Sequence, residues 1–226
     1  MKVVFIRHLQ TPGNEKRQYI GRTDEELSAR AVAAFRQKVP QDAHQKVPQN
    51  DPQAGRMYPP VQYVVASPMR RCIGTARLIY PGQEVITEPL LRECDFGAYE
   101  GKTYEELKDE PAYIRWLASG GMSPFPDGED PAAFRRRCVE GVKQRVLWLL
   151  DKGADSAAFV VHGGTVMAAL SELAETDRPA GGAENFYRWQ VENGCGYAGE
   201  VRREDWQNGR TVIRNIREIG RSCIEY

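Results

Sequence analysis

The chain has 226 residues, 41% of them hydrophobic, and its 31 Lys and Arg are matched by 31 Asp and Glu. That length suits one well-buried α/β domain over 1–226, and the balanced charge gives no global field that would draw in nucleic acid or an acidic membrane. A small anionic ligand must therefore be held by local positive charge, and no run approaches the ~18 apolar residues of a membrane span.

Met1-Lys2 leads directly into a predicted strand, Lys2 to Ile6, without a signal-type apolar core, so the expected setting is cytoplasmic. The strand delivers Arg7 and His8 at its C-terminal end, with Thr11 and Asn14 on the loop beyond. Strand carboxyl ends are where open α/β sheets place ligands. This one offers a guanidinium for an anion, an imidazole nucleophile and two hydrogen-bonding side chains.

Helical periodicity over Ser28 to Lys38 gives way at 39–60 to a segment rich in Pro, Gln, Asp and Asn, read as a flexible surface insertion. His44 lies inside it and reads as an exposed residue without a role. A second strand, Gln62 to Ala66, leads into Ser67-Pro68-Met69-Arg70-Arg71 and a helix from Met69 to Ile79. A third, Glu84 to Thr87, precedes Leu91-Arg92-Glu93-Cys94-Asp95-Phe96-Gly97, which supplies a carboxylate.

One helix is predicted over Thr103 to Ser119 and another over Pro131 to Leu150, the latter capped by Asp130 with Pro131 at its first position. The strand Ala157 to Val161 stops at His162-Gly163-Gly164-Thr165 before a helix over Gly164 to Leu173. Two of the three histidines thus share one setting, each at the tip of a buried-type strand. Gly196 to Arg203 and Thr211 to Ile216 flank Asn208-Gly209, a two-residue turn signal, and predict an antiparallel hairpin at the sheet edge. The alternation of apolar runs with helical segments predicts a three-layer sandwich, a mostly parallel central sheet flanked by helices. Cys72, Cys94, Cys138, Cys195 and Cys223 are scattered without a Cys-x-x-Cys pair, against a disulfide framework or a zinc site.

These segments together resemble the histidine phosphatase superfamily, also called phosphoglycerate mutase-like, over nearly the whole chain. The resemblance rests on Arg7-His8 with Thr11 and Asn14, on Arg71 in the Ser67-Pro68 segment, on Glu93, and on His162-Gly163-Gly164. Tyr19 to Asp24 with Leu27-Ser28 fits a further family element, and Ser123 to Glu129 resembles a segment beside the substrate. It implies hydrolysis of a small phosphomonoester without metal or cofactor, through a phosphohistidine. Arg7, His8, Arg71, Glu93 and His162 would be catalytic, with His8 the nucleophile and Glu93 the general acid. Thr11, Asn14, Arg22 and Gly163 would bind substrate.

Arg70 is assigned to the solvated helix face, Asp95 and Glu100 are set behind Glu93, and Glu129 stands evenly between substrate contact and solvated loop. Glu15 to Glu25 resembles the α-ribazole-phosphate phosphatases of cobalamin synthesis. Phosphoglycerate mutase-type transfer and a non-catalytic phosphate-binding protein are the alternatives, and a homodimer is left open. Leu9 stands where the family has Gly; it either crowds the pocket or points away from it, and the second is expected.

Overall fold

The computed structural model describes residues 1–39, 57–176 and 183–220. In chain order the elements are β1 (Lys2–Arg7), α1 (Pro12–Glu15), α2 (Ala29–Lys38), β2 (Tyr63–Ala66), α3 (Arg70–Ile79), β3 (Val85–Thr87), α4 (Tyr104–Leu107), α5 (Pro111–Ala118) and α6 (Pro131–Asp151). They continue as β4 (Ser156–Val161), α7 (Gly163–Leu173), α8 (Ala183–Tyr187), β5 (Gly196–Glu200), α9 (Arg203–Gln207) and β6 (Arg214–Ile219). Six strands form one sheet in the order β3-β2-β4-β1-β5-β6. β3, β2, β4 and β1 run parallel; β5 is added antiparallel beside β1, and β6 antiparallel beside β5.

Period-two alternation splits the buried strands between two cores. Val3, Phe5, Phe159 and Val161 face α6 and α7 through Val146, Leu149 and Leu170. Val4, Ile6, Ala158 and Val160 face α2 and α3 through Ala31, Phe35, Ala76 and Ile79. The two sets make the outer layers of the sandwich. A third cluster, built from Cys94, Tyr99, Tyr113, Phe125, Phe134 and Phe186, contains no strand residue.

Several sequence expectations need correction. The helix expected over 103–119 is two, because Pro111 cannot continue a helix and holds its predecessor Glu110 extended at φ −76°, ψ 124°. The edge strands do pair antiparallel, but no two-residue turn joins them. Instead α9 intervenes, burying Trp206 to 2% exposure, and Asn208-Gly209 ends that helix, with Gly209 at φ +79°. The indole Nε1 of Trp206 donates to the Val212 carbonyl at 2.9 Å, closing the connection before β6.

Most of the segment expected as an insertion over 39–60 lies outside the described residues, which resume at Met57. Tyr58 is buried, its ring lies 6.2 Å from Phe35, and its hydroxyl donates to the Gly194 carbonyl at 2.7 Å. His44 and Cys223 lie outside the described residues; Cys72, Cys94 and Cys138 are free and buried, and Cys195 is buried.

Candidate active site

The sheet register assembles the site. β1 and β4 are adjacent and parallel, with Arg7 opposite Val161, and the His8 amide donates to the Val161 carbonyl at 2.9 Å. The next residues, His8 and His162, therefore leave the sheet side by side, their ring centroids 5.3 Å apart at 71°. β2 ends one strand over, with Ala66 opposite Val160, so Ser67 meets His162: Nε2 and the Ser67 Oγ are 2.8 Å apart. α3 then starts beside β2 and carries Arg71 inward.

His8 is 4% exposed, and its Nδ1 lies 2.7 Å from the Leu9 carbonyl. A carbonyl only accepts, so Nδ1 carries the proton and Nε2 keeps its lone pair. His162 is fully buried and has the opposite tautomer. Its Nδ1 accepts from Arg71 Nε at 3.3 Å, which leaves the proton on Nε2 to be donated to Ser67. Both imidazoles are held well below the ordinary histidine pKa, first by burial and then by the Arg71 charge, with Arg7 adding to it. They are neutral at physiological pH.

Arg71 has no exposed surface, and besides His162 it donates to the carbonyls of Thr23 at 2.7 Å and Gly21 at 2.8 Å. Gly21 is itself required by the close packing of its backbone on the Glu93 segment, since a Cβ there would stand 1.8 Å from the Cys94 carbonyl oxygen. Arg7 donates through Nη1 to the Val191 carbonyl at 2.8 Å, but its Nε is buried with no hydrogen-bond partner. Burial lowers its pKa, opposed by the nearby Glu93 and Glu192. A buried guanidinium donor without a partner is unfavourable unless an anion completes it.

Glu93 sits across from the two arginines. Its carboxylate accepts from the Cys94 amide at 3.0 Å and the Gly164 amide at 3.2 Å. Burial nonetheless outweighs those bonds and both arginines, raising its pKa above the usual carboxylate range. Gly164 has to be glycine, because a Cβ would lie 2.4 Å from Glu93 Oε1. Gly163, the expected ligand-binding glycine, lies against the Arg7 guanidinium.

The other expected residues have partners of their own. Thr11 and Asn14 form a reciprocal cap on α1 at 3.3 Å each way, and Asn193 ties Asn14 Oδ1 to the His8 carbonyl at 3.2 and 2.9 Å. Arg22 is exposed and pairs with Asp95 at 3.4 Å. Glu100 binds the amides of Gly21 and Thr23, both at 2.9 Å, and Arg70 is exposed beside Glu26.

Three supporting residues were not read as site members from sequence: Ser67, Asn193 and Arg137. Arg137, on α6, donates to the carbonyls of Leu90, Arg92 and Glu93 at 2.7–3.0 Å and is gripped in two-pronged fashion by Glu129 at 2.6 and 2.7 Å. It fixes the backbone that carries Glu93, and Glu129 serves Arg137. An arginine in a run of three, Arg135-Arg136-Arg137, carries no sequence signal that singles it out.

Leu9 is 2% exposed and packs in the α2/α3 core, while its amide donates to Thr75 Oγ1 at 3.0 Å. Its side chain is thus committed to the core, as expected. Leu9→Gly should cost about 2–5 kcal/mol of stability through the cavity it leaves. Its kcat/KM at a temperature where the variant is folded should change less than about tenfold. Thermal unfolding and steady-state kinetics on one preparation separate the two; a large gain in activity would show that Leu9 obstructs the pocket.

Among the described residues no cluster of three or more His, Cys, Asp or Glu is arranged to hold a metal, and no helix is long and apolar enough to cross a membrane.

The chain is similar to known proteins over much of its length. A putative phosphoserine phosphatase 2 of Hydrogenobacter thermophilus is 26% identical over 199 residues, 85% of each chain. A probable phosphoglycerate mutase GpmB of Yersinia enterocolitica is 28% identical over 177 residues, 75% of this chain and 73% of its own. Among solved structures, a putative α-ribazole-5'-P phosphatase from Escherichia coli shares the fold with a TM-score of 0.71 at 22% identity, covering 100% of this chain and 98% of that one. A phosphoglycerate mutase from Thermus thermophilus superposes with a TM-score of 0.56 at 25% identity, over 88% and 93% of the two chains. The family profile described as histidine phosphatase superfamily (branch 1) matches residues 52–213, a stretch that contains Arg71, Glu93 and His162, while the sheet register brings Arg7 and His8 to them from outside it. With more than half of its length matched, the chain belongs to the histidine phosphatase superfamily.

Proposed function

We propose that the protein is a metal-independent phosphomonoesterase acting on a small phosphorylated metabolite through a phosphohistidine at His8. The observation that carries this reading is the His8 ring, buried and neutral, with Nδ1 fixed on the Leu9 carbonyl and its lone pair on Nε2, beside an arginine with a buried, unpartnered Nε.

A phosphomonoester repels nucleophiles through its charged oxygens, so positioning and charge neutralisation do most of the work. Arg7 and Arg71 supply the cations; at an effective dielectric near 20, one charge pair at 4 Å is worth about 4 kcal/mol. The His8 Nε2 lone pair forms the N–P bond as the ester P–O bond breaks, its electron pair leaving on the alcohol oxygen. Glu93, whose carboxyl is shifted by burial toward the protonated form, gives that oxygen its proton. The carboxylate then takes a proton from water as the water oxygen attacks phosphorus. The N–P pair returns to Nε2, and inorganic phosphate leaves. His162, neutral and bound to Ser67 and Arg71, orients Arg71 and lines the anion site.

The resemblance of Glu15 to Glu25 and the names of the structural neighbours put α-ribazole 5'-phosphate in the substrate panel, and the Hydrogenobacter relative adds phosphoserine. A cytoplasmic setting belongs to the same proposal. The test is a phosphate-release screen over these esters, sugar phosphates, nucleotides and phosphoglycerates, with and without EDTA. Activity should survive the chelator, since arginines neutralise the phosphoryl oxygens. Loss on chelation restored by a divalent cation, transfer to a second hydroxyl instead of water, or phosphate binding with no turnover would each replace this reading.

A further inference from the structure

The carboxylate of Glu93 and the backbone of Gly164 have a second side. Away from the histidines they border a cavity of about 310 Å³, at the small end of the usual range for small-molecule sites. Its walls are rings: Tyr19, Phe96, Trp116, Phe125, Phe134 and Phe186 all line it. They are braced edge-to-face, Tyr19 on Phe96 at 5.3 Å and Phe96 on Phe125 at 5.2 Å. Apart from Glu93 and Gly164, its walls belong to the third, sheet-free cluster and the loops around it rather than to the strand tips that carry the histidines.

We propose that this cavity receives the alcohol half of the substrate and selects a flat, uncharged aromatic group over a short carboxylated chain. The inference rests on the phosphomonoesterase reading for the position of the ester oxygen, which must lie at Glu93 to receive its proton. From there the carbon skeleton has the ring-lined cavity directly beside it.

Contact area decides between the two classes of ester. Apart from Glu93, the charged residue at the cavity is Arg135, whose guanidinium lies 5.4 Å from the Phe186 ring centroid and donates to Met122 Sδ at 2.8 Å. A phosphoserine or phosphoglycerate carboxylate can pair with that guanidinium, but its short chain leaves most of the six rings uncovered. An aromatic group meets the opposite situation, since ring edges and faces stack on the walls without desolvating a charge.

The test compares 2-naphthylmethyl phosphate, ethyl phosphate, O-phosphoserine and 3-phosphoglycerate on the full chain. The naphthylmethyl ester should exceed both carboxylated esters in kcat/KM by about 100-fold or more, and Trp116→Leu should lower the naphthylmethyl-to-ethyl ratio by about tenfold. Phe125→Leu is the second wall variant should the first fail to fold. Carboxylated esters turned over as well as the naphthylmethyl ester, or a ratio unmoved by a folded wall variant, would overturn the assignment while leaving phosphatase activity in place. Calorimetry on His8→Ala with the same four esters reads the cavity without turnover. If the wild type is inert on every ester yet His8→Ala binds the naphthylmethyl ester more tightly than phosphoserine, the hydrolytic reading falls and the cavity assignment stands. Equal affinities there would overturn the cavity assignment.

Discussion

His8→Ala is expected to lower kcat by about 10⁴-fold or more on every ester, as losses of a covalent nucleophile do. His162 cannot replace it. Both of its ring nitrogens are occupied, Nδ1 by Arg71 and Nε2 by Ser67, and it has no exposed surface. The anion site proposed at Arg7 and Arg71 remains in the variant, so phosphate or vanadate should still bind. Retained turnover in His8→Ala, with product release insensitive to the loss, would mean that water attacks the ester directly.

The second large effect belongs to Glu93. Glu93→Gln keeps the side-chain volume but has no proton to give, so esters with poor leaving groups should slow by about 10²–10⁴-fold, while an activated aryl phosphate changes far less. The pH dependence follows from the direction of the shift. Because burial raises the Glu93 pKa, the proton stays on the carboxyl above the ordinary carboxylate range and is lost as pH rises through the raised value. The rate on alkyl esters should therefore fall on that alkaline limb in the wild type, and the limb should vanish in Glu93→Gln. Equal slowing of both ester types would remove Glu93 from the general-acid role.

The two neutral histidines set a second pH limit. Their folded pKa values lie below the unfolded value near 6.5, so the unfolded chain binds more protons as pH falls. Their contribution to stability is complete above about pH 6.5 and is lost progressively below it.

Much of this site was legible in the sequence because the chemistry lies at strand ends. Apolar runs stopping at Arg7-His8, Ser67 and His162 announce three strand tips, and a parallel sheet makes them neighbours. Arg71 rather than Arg70 points inward because consecutive helical residues project about 100° apart; the burial of one and the exposure of the other follow. What pattern could not show is partnership over long separations. Asn193 reaches back to His8 and Asn14, and Arg137 reaches the Glu93 backbone, through polar side chains with no periodic signature. Thr11 and Asn14 carry a local signal that serves two uses, ligand contact or helix cap, and the structure shows the cap. The edge of the sheet misled for a related reason: Asn208-Gly209 is as good a helix terminus as a hairpin turn, and burial of Trp206 decides for the helix.

The central claim is covalent phosphorylation of His8, and rapid quenching tests it most directly. Enzyme mixed with a labelled phosphomonoester and stopped in base within one turnover should carry an acid-labile, base-stable phosphoryl group. Mass spectrometry under alkaline conditions should place it on the peptide containing His8, and on no peptide of His8→Ala. A turning-over enzyme that never carries label, or label that maps to His162 or to a base-labile acyl phosphate on Glu93, would contradict it.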